Sequence, residues 1–261
     1  MSRPPRLEES LARWESAPSP ERADDLLGAA EAALAGSPVA PQLWHRWLDA
    51  TRRRGHLLAL PDREARHRWA DVAVRAVSSS GYGLAEMLAQ RVASHPGRAL
   101  FAGGPSPAAP RWSYAHVARR ADAVAAALLD LEPEPRVAIV SENGFDSAAV
   151  DLACLLHGLL VSPLSPHLNP GELTAAFDAL GVNLAVASSE ESLRRLRDTA
   201  RRVASPFRVV LLDEAADLAG DGEIVLGETL AAKSEASVPS TLARAPRRAL
   251  RETCTVLFTS G

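Results

Sequence analysis

Arg136–Pro166 reads RVAIVSENGFDSAAVDLACLLHGLLVSPLSP. Five residues of alternating bulk, Arg136–Val140, form a short apolar run bounded by Ser141 and the turn residues Asn143 and Gly144. Such a run reads as a buried strand. Phe145 to Leu159 then carries apolar residues at helical spacing, and Leu160–Pro166 reads as a second strand ended by prolines. A strand, a helix and a strand in some thirty residues form a βαβ unit with two parallel strands.

The same alternation continues outward. NPGELTAAFDALG (169–181) opens with Asn169 as a cap and Pro170 at the first helical position, and Gly181 ends it. NLAVAS (183–188) is a strand, SEESLRRLRDTARRVA (189–204) a helix starting within Ser189–Ser192, and FRVVLLD (207–213) another strand. Upstream, GLAEMLAQRVASHPG (83–97) is an amphipathic helix, and RALFAGG (98–104) and PRWSY (110–114) are two short strands around a Gly/Pro turn. A long helix follows, capped by Ser113. Residues 213–252 are polar and mixed and read as a surface excursion. The expected fold is α/β, a parallel sheet covered by helices on both faces. Ligands of such sheets sit at the carboxyl ends of the strands.

Residues 1–80 have another texture. They hold Trp14, Trp44, Trp47 and Trp69, four of the five tryptophans, and no strand pattern. Three helices are expected, over 19–36, 40–55 and 60–83, which makes an all-helical N-terminal extension (1–80) in front of the α/β part (81–261). His45, His56 and His67 recur every eleven residues, but Gly55 and Pro61 break the helix between them, so they read as surface histidines rather than metal ligands. Arg52–Arg54 read as a solvated helix end, favourable to the helix dipole.

Composition excludes several classes. A net charge of −3 without a clustered basic face speaks against nucleic acid. Cys154 and Cys254, in apolar runs far apart, read as two buried free thiols. The N-terminus has no apolar signal-peptide core, and the longest apolar run, Ala148–Val161, is interrupted by Asp151 and His157, so no transmembrane segment is expected and a cytoplasmic location fits. A peripheral membrane contact stays open. Lys233, the only lysine, lies in a polar stretch and reads as a solvated surface residue.

The chemistry gathers at TCTVLFTSG (253–261), an apolar strand running into Thr259, Ser260 and Gly261. Successive backbone N–H groups in such a turn form an anion nest, and the hydroxyls add donors. Four blocks in order resemble the adenylate-forming (AMP-binding) enzymes: acyl-CoA synthetases, luciferases and peptide-synthetase adenylation domains. They are RWSYAHVARRADAVAAAL (111–128), with Trp112, Ser113 and Tyr114 in register but His116 where an acid is usual; RVAIVSENG with the stretch to Leu173, where Gly158, Pro163 and Pro166 match; LAVASSEESL (184–193); and TVLFTSG, which resembles the opening of the family's phosphate loop. The resemblance covers residues 81–261. Ser141–Asn143 leans toward long-chain acyl-CoA synthetases, although GFDSA (144–148) departs from their usual continuation; adenylation domains of carboxylic acid reductases and of peptide synthetases are the alternatives.

The resemblance implies ATP and Mg²⁺, coenzyme A as co-substrate, and a carboxylic acid substrate, a fatty acid in the long-chain branch. It assigns the ATP-phosphate role to Thr259, Ser260 and Gly261. The family's later segments, its catalytic lysine among them, have no counterpart in these residues. A terminal carboxylate at Gly261 would also repel a phosphate ~4 Å away by about 1 kcal/mol even in water. The expectation is an N-terminal fragment that does not activate carboxylates alone, its missing part supplied in the parent chain or in trans. The contrasting expectation is a non-catalytic binding module derived from this fold.

Overall fold

The computed structural model describes residues 6–36, 39–104, 106, 108–232, 238–243, 245 and 252–258. The chain divides into two compact units, residues 1–90 and 91–261.

In the first unit, α2 (Pro20–Ala35) begins where Ser19 accepts a hydrogen bond from the Arg22 amide, with Pro20 at the first helical position. α5 (Arg63–Ser80) is capped by Asp62 and ends at Gly81, whose φ of 66° is the left-handed conformation that favours glycine. Two helices escape the sequence reading. α1 (Leu7–Ser16) buries Leu7, Leu11 and Trp14, a single apolar stripe among charges. The helix expected over 40–55 is α3 (Pro41–Thr51), broken at Arg52–Arg53 and followed by the short α4 (Arg54–Ala59). Asp49 pairs with both Arg52 and Arg53 at that break; Arg52 is half-buried there, while Arg53 stays 68% exposed. The change of direction lets α4 bury His56 and deliver Leu60 to the core, which includes Leu11, Trp14, Leu26, Leu27, Trp44 and Trp47. His56 is thus no surface histidine: its exposure is 0%. His45 is half-buried and its Nε2 lies 3.1 Å from the Ser80 carbonyl; only His67 is exposed.

α6 (Leu84–Ser94) leads into the second unit. There β1 (Ala99–Ala102) and β2 (Arg111–Ser113) form an antiparallel pair, and Ser113 caps α7 (Tyr114–Leu131) by accepting from the His116 amide. The main sheet is parallel, in the order β4-β3-β5-β6-β7. Its strands are β3 (Arg136–Val140), β4 (Leu160–Leu164), β5 (Leu184–Ala187), β6 (Arg208–Leu211) and β7 (Ile224–Val225). Strand alternation sorts the core. Val137, Ile139, Leu184 and Val186 pack with α7 and with α8 (Phe145–Leu156). Ala138, Val140, Ala185 and Ala187 pack on the opposite face with α9 (Pro170–Leu180) and α10 (Glu190–Ala200). Both faces are covered, as the uninterrupted apolar strands require.

The stretch expected to be a surface excursion, 213–252, contains regular elements among its described residues. After a 3-10 turn (Asp213–Leu218) the chain adds β7 to the sheet edge and buries Leu226 at the start of α11 (Leu226–Ala231); α12 (Val238–Leu242) follows. Both cysteines are free; Cys154 is buried, and Cys254 is only half-buried rather than fully so.

The expected last strand, Thr255–Phe258, is shorter than its sequence. Only Thr255 bridges, to Val161 of β4 and in parallel. Val161 donates to the Cys254 carbonyl at 3.0 Å and Val256 donates to the Val161 carbonyl at 3.1 Å. In a regular parallel ladder the next donor to the Val256 carbonyl is the amide of residue 163. That residue is Pro163, which has no N–H. The Ser162 hydroxyl donates to the Val256 carbonyl instead, at 2.7 Å.

Candidate functional site

Crossovers from the carboxyl ends of β3 and β5 leave to opposite faces, β3 into α8 and β5 into α10. The gap between these two neighbours is therefore the sheet's topological switch point, where open α/β sheets bind ligands. Ser141 and Ser188 close the two strands there. The Ser141 hydroxyl lies 2.7 Å from Ser188 Oγ and 2.7 Å from the Glu142 carbonyl.

A cleft of about 490 Å³ opens beside it, at the ends of β3 and β4. Ser141, Glu142, Asn143, Asp151, Pro163 and Ser165 contribute to its lining. Ser147 ties the β3–α8 loop together. Its hydroxyl accepts from the Gly144 amide at 2.9 Å and lies 3.1 Å from the Glu142 carbonyl. Asp151 projects from α8 with no hydrogen-bond partner among the described residues, and partial burial pushes its carboxyl above the usual carboxylate range. Glu142 and His167 face each other at 3.3 Å, both well exposed. His167 belongs to the loop after β4, and Asn169 closes that loop by accepting from the Gly171 and Glu172 amides while Glu172 accepts from the Asn169 amide.

On the α7–α8 side of this unit lies a second cavity, of about 680 Å³, lined among others by His116, Arg119, Phe145 and Pro239. Arg120 bridges Asp146 at 2.9 Å and Asp213 at 3.2 Å, fastening the ends of β3 and β6 to α7. Phe145 stacks on Trp112 with centroids 4.2 Å apart. The Trp112 of the aromatic block thus has a packing role, and His116, where the family pattern has an acid, is an exposed neighbour of Phe145.

Thr259, Ser260 and Gly261, the expected phosphate-binding residues, lie outside the described residues, as does Lys233. The segment before them is described. Cys254–Val256 runs parallel to β4, toward the carboxyl edge, and Leu257 and Phe258 are 68% and 47% exposed. Ser141, Ser188 and Asp151 were not singled out as site residues. The serines were legible in principle as hydroxyl residues directly after strands. Asp151 carried one signal, an acid inside the longest apolar run. Among the described residues no group of three His, Cys, Asp or Glu could hold a metal ion, and no helix is long and apolar enough to cross a membrane.

A family model described as AMP-binding enzyme matches residues 88–261. Among solved structures, the anthranilate CoA ligase AuaEII in complex with anthranoyl-AMP is similar with a TM-score of 0.56 at 15% identity, over 69% of this chain and 32% of that one. An acyl-CoA synthetase from Brucella canis gives 0.56 at 18% identity, over 69% and 32%. VinN, solved with L-aspartate, gives 0.51 at 19% identity, over 69% and 42%. At these identities the likeness is one of fold. The chain spans about a third of the first two of these proteins and about two fifths of VinN. A comparison with the curated proteins finds no match.

Proposed function

The chain belongs to the AMP-binding enzyme family, and from that premise we propose that it is the N-terminal part of a ligase that activates a carboxylic acid with ATP and passes the acyl group to coenzyme A. In the first step a carboxylate oxygen attacks the α-phosphorus of ATP, and pyrophosphate leaves. In the second the thiol sulfur attacks the acyl carbonyl, and AMP leaves. A fatty acid is the proposed substrate class, from the resemblance of the Ser141–Asn143 block to the long-chain branch.

The observation that supports this reading is the pairing of Cys254–Val256 with β4. Were the pairing to continue in the same register past Pro163, it would bring Thr259 level with Ser165, at the rim of the cleft beside the switch point. Thr259, Ser260 and Gly261 would there offer backbone N–H groups and hydroxyls to the phosphates. The Ser141 and Ser188 hydroxyls stand on the same edge. Mg²⁺ would arrive on the phosphates rather than in a protein cage, as that ion commonly does. Developing negative charge still calls for a cation, and among the described residues no lysine or arginine lines the cleft, so the 261-residue chain by itself is proposed not to complete adenylation.

The test is carboxylate-dependent exchange of pyrophosphate into ATP with a panel of fatty acids. It is run on the 261-residue chain and on the protein translated from its whole reading frame. Exchange is expected from the second and not from the first. Exchange by the 261 residues alone overturns the proposed incompleteness. Its absence in both, with folded protein, overturns the ligase reading.

A further inference from the structure

The first unit holds a cavity of about 570 Å³, between the end of α1, the α1–α2 turn, the end of α3 and α4. The size is that of an ordinary small-molecule site. Its apolar wall includes Trp14, Pro18, Pro20 and Ala59. His56 forms part of the wall, its ring edge-on to the Trp14 indole at 4.9 Å. The imidazole is fully buried, and neither ring nitrogen has a hydrogen-bond partner among the described residues. A buried polar group without a partner is a cost that a ligand can remove by supplying one.

The charges around the cavity narrow the ligand. Glu15 is held by Arg46, and Asp49 by Arg52 and Arg53 together, so the carboxylates are already satisfied. Arg53 spends one nitrogen on Asp49 at 3.0 Å, and its side chain is 68% exposed. The neutral imidazole carries one donor and one acceptor; its N–H, after a turn of the ring toward the cavity, and the remaining Arg53 guanidinium N–H groups are the donors open to a carboxylate. Asp49, Arg52 and Arg53 sum to one positive charge.

We propose that this cavity binds a small organic carboxylate, its apolar body against Trp14, Pro18 and Pro20 and its carboxylate on Arg53 and His56. The site lies in the part of the chain that the family match leaves uncovered, and it does not depend on the ligase reading.

The experiment is calorimetric titration of the full 261-residue chain with octanoate and with benzoate, with acetate and inorganic phosphate as anions lacking the body. Arg53→Gln removes the exposed donor without touching the core, and Ala59→Leu fills the cavity while keeping both polar groups; circular dichroism checks that each variant folds. One octanoate or benzoate per chain is expected, at least ~10-fold weaker in each folded variant, with acetate and phosphate weaker still. The proton NMR signal of the His56 ring should shift on adding octanoate. Absence of binding in the unmodified chain overturns the proposal. So does binding unchanged in the variants with a still His56 signal, which would place the ligand elsewhere, including in the second unit. Should Ala59→Leu fail to fold, Arg53→Gln and the His56 signal decide.

Discussion

Two residues carry opposite pH signatures. His56 is buried neutral, and desolvation lowers its pKa from 6.5 to about 4. A depressed folded-state value means that the unfolded chain takes up the proton first. The stability that His56 contributes is complete above pH 6.5 and is lost as the pH falls toward 4, by up to about 3 kcal/mol. Urea unfolding followed by tryptophan fluorescence should show this loss between pH 7 and pH 4.5, and His56→Leu should abolish it. Asp151 works the other way. Burial raises its carboxyl, so the folded state keeps the proton longer, and stability declines as pH rises above the ordinary carboxylate range. Asp151→Asn should raise the thermal midpoint at pH 7 and leave it unchanged at pH 3; equal effects at both pH values would show that the carboxylate is not penalised.

At the scale of elements, the strands and helices of the sheet were legible because each follows a single period bounded by clear caps. Asn169, Pro170 and Gly181 mark α9 as the sequence suggests, with the reciprocal Asn169–Glu172 bonds in place. Asn169→Ala should cost about 1 kcal/mol in chemical denaturation. What the sequence hid depends on partners far along the chain. α1 is a short stripe that only the tryptophan core of its unit justifies, and β7 is two residues long and exists because β6 offers an edge. The candidate site was legible only in part. TVLF gave a segment that lies beside β4, while the Ser141–Ser188 contact joins residues 47 positions apart, which no local pattern announces. The shortness of the last strand was also hidden, since its cause, Pro163, sits in the neighbouring strand. Pro163→Val should restore a ladder amide and let the pairing run on to Phe258, whose amide would then gain protection from hydrogen exchange.

At the scale of the whole molecule, the family match over residues 88–261 and the parallel sheet with helices on both faces belong to one unit, whose switch point lies between β3 and β5. The proposed function requires that the segment ahead of Thr259 be delivered to the carboxyl edge of that sheet. Cys254–Val256 does so by lying beside β4. Amide hydrogen exchange read by NMR at Val161 and Val256 measures that placement. Protection of both amides, comparable with the inner strands β3 and β5, is the expected result. Val256 exchanging at the rate of an open chain while β3 stays protected would contradict it, and would detach the proposed phosphate loop from the sheet.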